Sequence, residues 1–302
     1  MGKGGHGTNV GSGSVLLTDW MDRLHGAQRL SELTLPGTHD TCARDCTAGL
    51  ETQSMTVPDQ LAAGIRFLDI RCRHVGDAFA IHHSSEFLRQ WFEEVRDACY
   101  AFLDQHPGEA IVMLEKEEHT PAGNTRSFQA TFESDTRATR SRWHLGDRIP
   151  ALDEVRGKIV LFRRFPATTP LGIDAWGDAT TNWVDDATFV LARNGSTLCV
   201  QDGYRLPTRL DLETKWDRIR QHLVDAGDGS PAAWYVNYAS ATGFTVPREI
   251  AVGAPDTAGI NGRLLRCLAE SRPGRYGTLL LDFAEHPAEL IRTIVGLNRL
   301  QG

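Results

Sequence analysis

The chain has 302 residues, 41% of them hydrophobic and 24% charged, with a net charge of −7. That composition is ordinary for a globular protein and excludes a disordered or collagen-like chain. No run reaches the about 18 apolar residues of a membrane-spanning helix, and the acidic balance excludes a general nucleic-acid binder, whose phosphate contacts need a basic surface.

The basic residues are lopsided, 28 Arg against four Lys (Lys3, Lys116, Lys158 and Lys215), which reads as the codon usage of a GC-rich genome. Six cysteines stand at positions 42, 46, 72, 99, 199 and 267. None forms a Cys-x-x-Cys pair, which argues against a structural zinc site. The even count fits a secreted protein with up to three disulfides, Cys42 and Cys46 being close enough in sequence to pair. Six buried thiols in a reducing compartment are the alternative.

Residues 1–14 (MGKGGHGTNVGSGS) have no apolar stretch and read as a flexible arm or expression remnant rather than a signal peptide. Residues 15–302 show no linker, repeat or composition break and read as one domain. Short apolar runs bounded by Gly, Pro or Asp recur at residues 30–35, 65–70, 78–81, 110–114, 158–162, 196–200, 233–238 and 278–281. Each has the length of a strand buried on both faces. Helical patterns lie between several of them. Phe87, Trp91, Val95, Cys99 and Phe102 share one face of a helix, and residues 212–226 and 258–270 behave similarly. Residues 287–297 close the chain, with Pro287 in the first turn, where its missing N–H costs nothing. Strands interleaved with helices predict an α/β fold, a single (β/α)8 TIM barrel. The short crossover between the second and third strands predicts that the barrel is distorted.

In such a barrel the active site gathers at the C-terminal ends of the strands. The polar residues that follow the runs are therefore expected to converge: His39 and Asp40; Asp69, Arg71 and Arg73; His82 and His83; Glu115, Lys116 and Glu117; Arg163 and Arg164; Asp202 and Tyr204; Asn237 and Tyr238; and Asp282. Two histidines near carboxylates suit a general base and a general acid. The planar fork of Arg71 suits a phosphate or a carboxylate, or pairs structurally with Asp69. Asp40, Asp69 and Glu115 or Glu117 are also able to hold a hard cation through oxygen ligands.

These residues carry a resemblance. Leu35-Pro36-Gly37-Thr38-His39-Asp40-Thr41 resembles the PGTHDS signature of bacterial phosphatidylinositol-specific phospholipase C. Phe67-Leu68-Asp69-Ile70-Arg71-Cys72-Arg73 is similar to the FDIRGR strand of that family, and Ile81-His82-His83 to its LHHG segment. KIVLFRRF at residues 158–165 resembles the KIVLLKRY strand. Val200-Gln201-Asp202-Gly203-Tyr204 resembles the VQDKY turn, and Leu281-Asp282-Phe283 falls at the final strand end. The matches run in order through residues 30 to 300.

The resemblance implies a phosphodiesterase that cleaves phosphatidylinositol to diacylglycerol and inositol 1,2-cyclic phosphate. His39 is then the general base, supported by Asp282, and His83 the general acid, oriented by Asp40. Arg71 stabilises the phosphoryl charge, while Arg164, Asp202 and Tyr204 hold the inositol. The competing expectations are a glycerophosphodiesterase or sphingomyelinase-D-like barrel, and an inactive barrel that binds inositol lipid. The Arg-rich, Cys-containing chain is most like the actinobacterial, Streptomyces-type branch, which is calcium-dependent. Along the fourth strand Glu115 and Glu117 share one face and Lys116 the other. Two glutamates turned toward the helices would be costly, whereas a lysine there snorkels. The expectation is therefore a Ca²⁺ held by Asp40, Asp69 and Glu115, with Glu117 in reserve. A metal-free site using Arg71 and Lys116 is the alternative. The partner implied is phosphatidylinositol in a membrane, met transiently by a secreted monomer. Candidate rim residues are Phe87, Leu88, Trp91, Trp176, Trp183 and Phe244.

Overall fold

The computed structural model describes residues 16–177, 182–254 and 257–301; the expected arm, residues 1–14, lies outside the described residues. Seven of the eight apolar runs form strands that pair in parallel. They are β1 (Leu35–Thr38), β2 (Phe67–Val75), β5 (Ile111–Glu117), β7 (Ile159–Arg164), β10 (Ser196–Gln201), β12 (Ala233–Tyr238) and β16 (Thr278–Leu281). Their order across the sheet is β7-β5-β2-β1-β16-β12-β10. Short strands complete it: β6 (Trp143–His144) and β8 (Ile173–Asp174) flank β7, and β9 (Thr188–Arg193) lies antiparallel to β10. Among the described residues no pairing joins β8 to β9, so the barrel is open on that side. Two small pairs, β11 (Arg205–Leu206) with β13 (Thr242–Gly243) and β14 (Gly253–Ala254) with β15 (Thr257–Ala258), lie in the loops.

Helices cover the sheet. They are α1 (Val57–Ala62), α2 (Phe92–Gln105), α3 (Phe128–Thr136), α4 (Leu152–Val155), α5 (Asp211–Asp228), α6 (Pro247–Val252), α7 (Ile260–Ala269) and α8 (Leu290–Gly296). Inside the barrel Phe67, Phe162 and Trp234 meet edge to face, with centroids 5.4, 5.5 and 6.3 Å apart. This aromatic layer fills the interior below the strand ends and gives the site a solid floor.

Three expectations are corrected. The first run was placed at residues 30–35, but Leu30–Glu32 is a 3-10 turn and the strand starts at Leu35. Gly37 is what lets β1 sit between β2 and β16: a Cβ there would lie 2.6 Å from Leu280 Cδ2 and 2.9 Å from Phe67 Cβ. The third run is no barrel stave. As β3 (Ala78–His83) it folds back antiparallel on β2 through Gly76 (φ +58°) and Asp77 (φ +61°). Two left-handed residues in a two-residue loop match the twist of a hairpin. β4 (Glu86–Trp91) then pairs with β3, so Phe87 and Trp91 lie on a strand and not on the helical stripe.

The six cysteines are free thiols, Cys42, Cys72 and Cys99 buried and Cys46, Cys199 and Cys267 partly so. The expected disulfides, Cys42 with Cys46 among them, are therefore not formed in this structure. Burial pushes the Cys99 thiol up to about 12, which keeps it protonated and inert. Thermal melts with and without a reductant are expected to coincide, and thiol titration of the unfolded chain is expected to count six. A reductant-sensitive melt would show a structural disulfide.

Candidate active site

At the end of β1 the chain turns sharply. Asp40 adopts φ +40°, a conformation that non-glycine residues rarely hold without support. Support comes from the Asp40 N–H, which donates to Asp69 Oδ2 at 3.2 Å, and from the Thr52 hydroxyl, which donates to the Asp40 carbonyl at 3.0 Å. The turn leaves His39 facing the barrel axis and buries the Asp40 carboxylate beneath it.

Asp69 and Arg71, two apart on β2, share a face. Arg71 Nη2 reaches Asp69 Oδ2 at 3.0 Å, and its Nη1 lies 3.5 Å from Asp40 Oδ2. Burial alone would raise the Asp69 carboxyl, but the Arg71 guanidinium holds it below the usual range. The sheet register sets Arg71 beside Lys116 on β5, and Lys116 beside Arg164 on β7. Neighbouring strands are about 4.8 Å apart, so three cations stand in one row across the mouth. Burial and the neighbouring Arg71 and Arg164 lower the Lys116 ammonium. Its partner is Glu118, with Nζ 2.5 Å from Oε2. Arg164 lies 4.0 Å above the Trp183 ring, a cation–π contact. The Trp183 indole N–H in turn donates to Asp202 at 2.8 Å.

The two histidines meet at this row. His39 Nδ1 and Asp282 Oδ1 are 2.8 Å apart, and the turn carrying Asp282 is pinned by Asn261, whose amide donates to the Asp282 and Phe283 carbonyls. His83 Nδ1 lies 2.9 Å from Asp40 Oδ2, a close contact off the line of a good hydrogen bond. The two rings are T-shaped, 6.5 Å between centroids. Burial and then the Arg71 charge hold His39 well below the ordinary imidazole pKa, so it is neutral and ready to accept a proton.

A cavity of about 260 Å³ opens onto these groups. His39, Arg71, His83, Lys116, Arg164, Asp202, Tyr204 and Asp282 line it, and Asp40 and Asp69 lie buried just behind. Arg163 does not: it turns outward and pairs with Asp174 at 2.7 Å. His82 turns away as well, stacking against Phe87 and His119.

The calcium ligand set does not fit. Lys116, not Glu115, faces the cavity. Glu115 is paired with Ile70 and Arg163 on the outer face, its carboxyl wholly buried with neither oxygen hydrogen-bonded. Burial and nearby Asp135 push its pKa well up, so it is a neutral acid that no cation reaches. Glu117 shares that face. Asp40 and Asp69 are taken by Arg71, and among the described residues no three acids, histidines or cysteines gather in a metal-holding cluster. The expectation misjudged which side of β5 carries the cost, because a single buried carboxyl escapes the charge penalty by staying protonated.

Glu118 is the residue that the sequence reading missed. It lines the cavity beside Lys116 and Ser84. Its signal was present: it stands two residues beyond Lys116 on the same face. Tyr238, at the end of β12, is buried and packs edge-on to both His39 (5.9 Å) and Trp183 (6.1 Å).

Barrel and site define a class: an α/β-barrel with an acid–base pair of histidines opposite a row of cations, a layout suited to an anionic phosphoryl group. The family described as phosphatidylinositol-specific phospholipase C, X domain, matches residues 28–165. A 1-phosphatidylinositol phosphodiesterase of Listeria monocytogenes is 30% identical over 300 residues, 95% of this chain and 86% of that one. One from Staphylococcus aureus is 29% identical over 285 residues, 88% of each chain. In three dimensions the chain is similar to a variant of the S. aureus phosphatidylinositol-specific phospholipase C, with a TM-score of 0.84 at 26% identity, covering 96% of this chain and 100% of that one. The chain belongs to the phosphatidylinositol-specific phospholipase C family.

Following the imidazole resonances by NMR is expected to give His39 a midpoint below 6.5. Replacing Arg71 with Met removes a charge that depresses it, so the midpoint is expected to rise. A wild-type midpoint at or above 6.5 would contradict this account of the site.

Proposed function

We propose that this protein cleaves phosphatidylinositol to diacylglycerol and inositol 1,2-cyclic phosphate. The observation that carries the reading is the pair His39–Asp282 and His83–Asp40 facing one cavity with Arg71, Lys116 and Arg164 in a row beside them. His39 takes the proton from the inositol 2-hydroxyl through the nitrogen not held by Asp282. The freed oxygen attacks phosphorus, and the bond to the diacylglycerol oxygen breaks. His83 delivers a proton to that leaving oxygen. Attack by a neighbouring hydroxyl needs no separate nucleophile to be captured and oriented.

Charge on the phosphoryl oxygens grows toward the transition state and is met by fixed cations already in place. Arg71, anchored by Asp69 and Asp40, is the nearest to the histidines. Lys116 and Arg164, with Asp202 and Tyr204, hold the inositol. Metal-free charge stabilisation by Arg71 and Lys116 is therefore preferred to the calcium reading, and the similar proteins of Listeria monocytogenes and Staphylococcus aureus do not support kinship with the Streptomyces-type branch. We extend the proposal to a secreted monomer that meets its lipid transiently at a membrane. With the thiols free, secretion rests on the resemblance alone, and activity found in cell pellets but not in culture supernatant would refute it.

His39→Ala and His83→Ala are each expected to lower turnover about a thousandfold or more, as loss of a positioned acid or base does. Phosphorus NMR of the wild-type products is expected to show the cyclic phosphate first. A variant that keeps most of its activity would overturn the role given to that histidine. Activity in EGTA is expected to equal that with added Ca²⁺; a loss restored by Ca²⁺ would overturn the metal-free reading.

A further inference from the structure

α5 places a charge where its packing calls for an apolar residue. Leu212, Ile219, Leu223 and Ala226 recur on the buried side of this helix, which packs against β10 and β12. Lys215 stands in the same stripe and is wholly buried. Lysine is almost never found fully buried without partners. This one does not line the cavity, and no step of the reaction uses it.

An ammonium has three protons to donate, and here each has an acceptor. Lys215 Nζ donates to the Gly203 carbonyl at 2.7 Å, to the Gln201 side-chain oxygen at 3.4 Å and to the Tyr238 carbonyl. All three acceptors stand at the ends of two neighbouring strands, β10 and β12, where Gln201 is paired with Asn237. Gln201 ties the same groups together: its amide donates to Asn237 and to the Tyr238 carbonyl, and its oxygen accepts the Gly203 N–H. Gly203 lies between Asp202 and Tyr204, both of which line the cavity, and the Tyr238 ring packs against His39. One buried side chain thus joins the turn assigned to the inositol to the strand end beside the general base.

The charge of Lys215 acts on the same mouth. The charged and titratable groups around it are Asp202 at the end of β10, Asp282 at the end of β16, Asp186 before β9, and Arg218 and His222 on α5. Burial, and then the Asp40 charge, push the Asp282 carboxyl well up, and Lys215 is the cation that opposes this most, ahead of Arg71. Burial raises the Asp202 carboxyl too, against Arg164, the Trp183 indole and Lys215. Burial also lowers the Lys215 ammonium to about 7, so it titrates near neutrality.

We propose that Lys215 is a positioning residue for the cleavage reaction: its buried ammonium fixes the Asp202–Tyr204 turn against the inositol and is the countercharge behind Asp202 and Asp282. The inference deepens the reading of the site as one that cleaves phosphatidylinositol, and rests on it. Three hydrogen bonds set the geometry, while the charge, closed off from water, is little screened. Inositol bound to the fixed turn in return favours the protonated lysine, because coupling between two binding equilibria is reciprocal.

The test uses the full chain, with myo-inositol and a short-chain phosphatidylinositol dissolved as monomers. Lys215→Met removes the hydrogen bonds and the charge, whereas Lys215→Gln keeps N–H donors without the charge. In a variant that still melts cooperatively, kcat/KM is expected to fall at least about tenfold, mostly through KM. Without the cation the carboxyls titrate higher, so the acid limb of the pH profile is expected to move up by about half a pH unit or more. A loss of equal size at every pH, with the acid limb unmoved, would mark a packing residue and overturn the proposal. A folded variant within about twofold of the wild type would overturn it as well. The wild type supplies a measurement that does not depend on any variant folding. Its four lysines are few enough to follow by NMR with carbon-13 beside the ammonium, and saturating myo-inositol is expected to raise the Lys215 midpoint. A midpoint that inositol leaves unmoved overturns the proposal. A wild type that cleaves no phosphatidylinositol brings down the catalytic reading and this proposal with it, whereas an active wild type beside unaffected variants removes only the role of Lys215.

Discussion

The mouth of the barrel depends on Arg71. Its guanidinium lies 3.0 Å from Asp69 and 3.5 Å from Asp40, and each carboxylate has a second task. Asp69 accepts the N–H of Asp40 and so holds a left-handed turn. Asp40 sets the position of His83. A guanidinium stays charged under all ordinary conditions, so the buried Asp69 carboxylate beside it is kept ionised. Removing that one cation would leave it uncompensated, which is far more costly than losing a surface ion pair. Burial keeps His39 neutral and the same charge adds to it, so one side chain supports the fold of the turn, the orientation of one histidine and the protonation of the other.

Parallel pairing does the rest. With β2, β5 and β7 in register, Arg71, Lys116 and Arg164 are forced side by side. Such a row is unfavourable by itself. It is tolerated because Glu118, Asp69 and Asp40 sit among the cations, and because an anion entering the cavity completes the balance. On the outer side of β5, Glu115 takes the opposite course and gives up its charge to burial. β5 thus turns an ion-paired lysine toward the cavity on one face and buries a neutral acid on the other.

The sequence made much of this legible, and where it misled there were physical reasons. The chemistry-bearing segments around His39, Arg71, His83, Arg164, Asp202 and Asp282 stand at strand ends, and strands can be recognised as short apolar runs bounded by turn residues. A buried run reads the same whether it pairs parallel or antiparallel, so β3 reads as a barrel stave. Gly76-Asp77, between two apolar runs, was the hairpin signal. Phe87 and Trp91 fit the i, i+4 spacing of a helix and the alternation of a strand equally well. Glu94, whose carboxylate accepts the Trp91 N–H, marks where the helix begins. An even count of cysteines does not say which sulfurs the fold brings near one another, and the six stand here as free thiols.

By itself the sequence determined the kind of barrel and the residue types at each strand end, because hydrophobic period and turn chemistry are local properties of the chain. It also determined that Glu115 and Lys116 face opposite ways, since alternation along a strand is a matter of backbone geometry. Only the tertiary structure decided which of them faces the cavity. Alternation has no sign until the helices pack on one side of the sheet and the barrel closes around the other. That choice depends on the summed burial of every residue on both faces, and no single position reveals it.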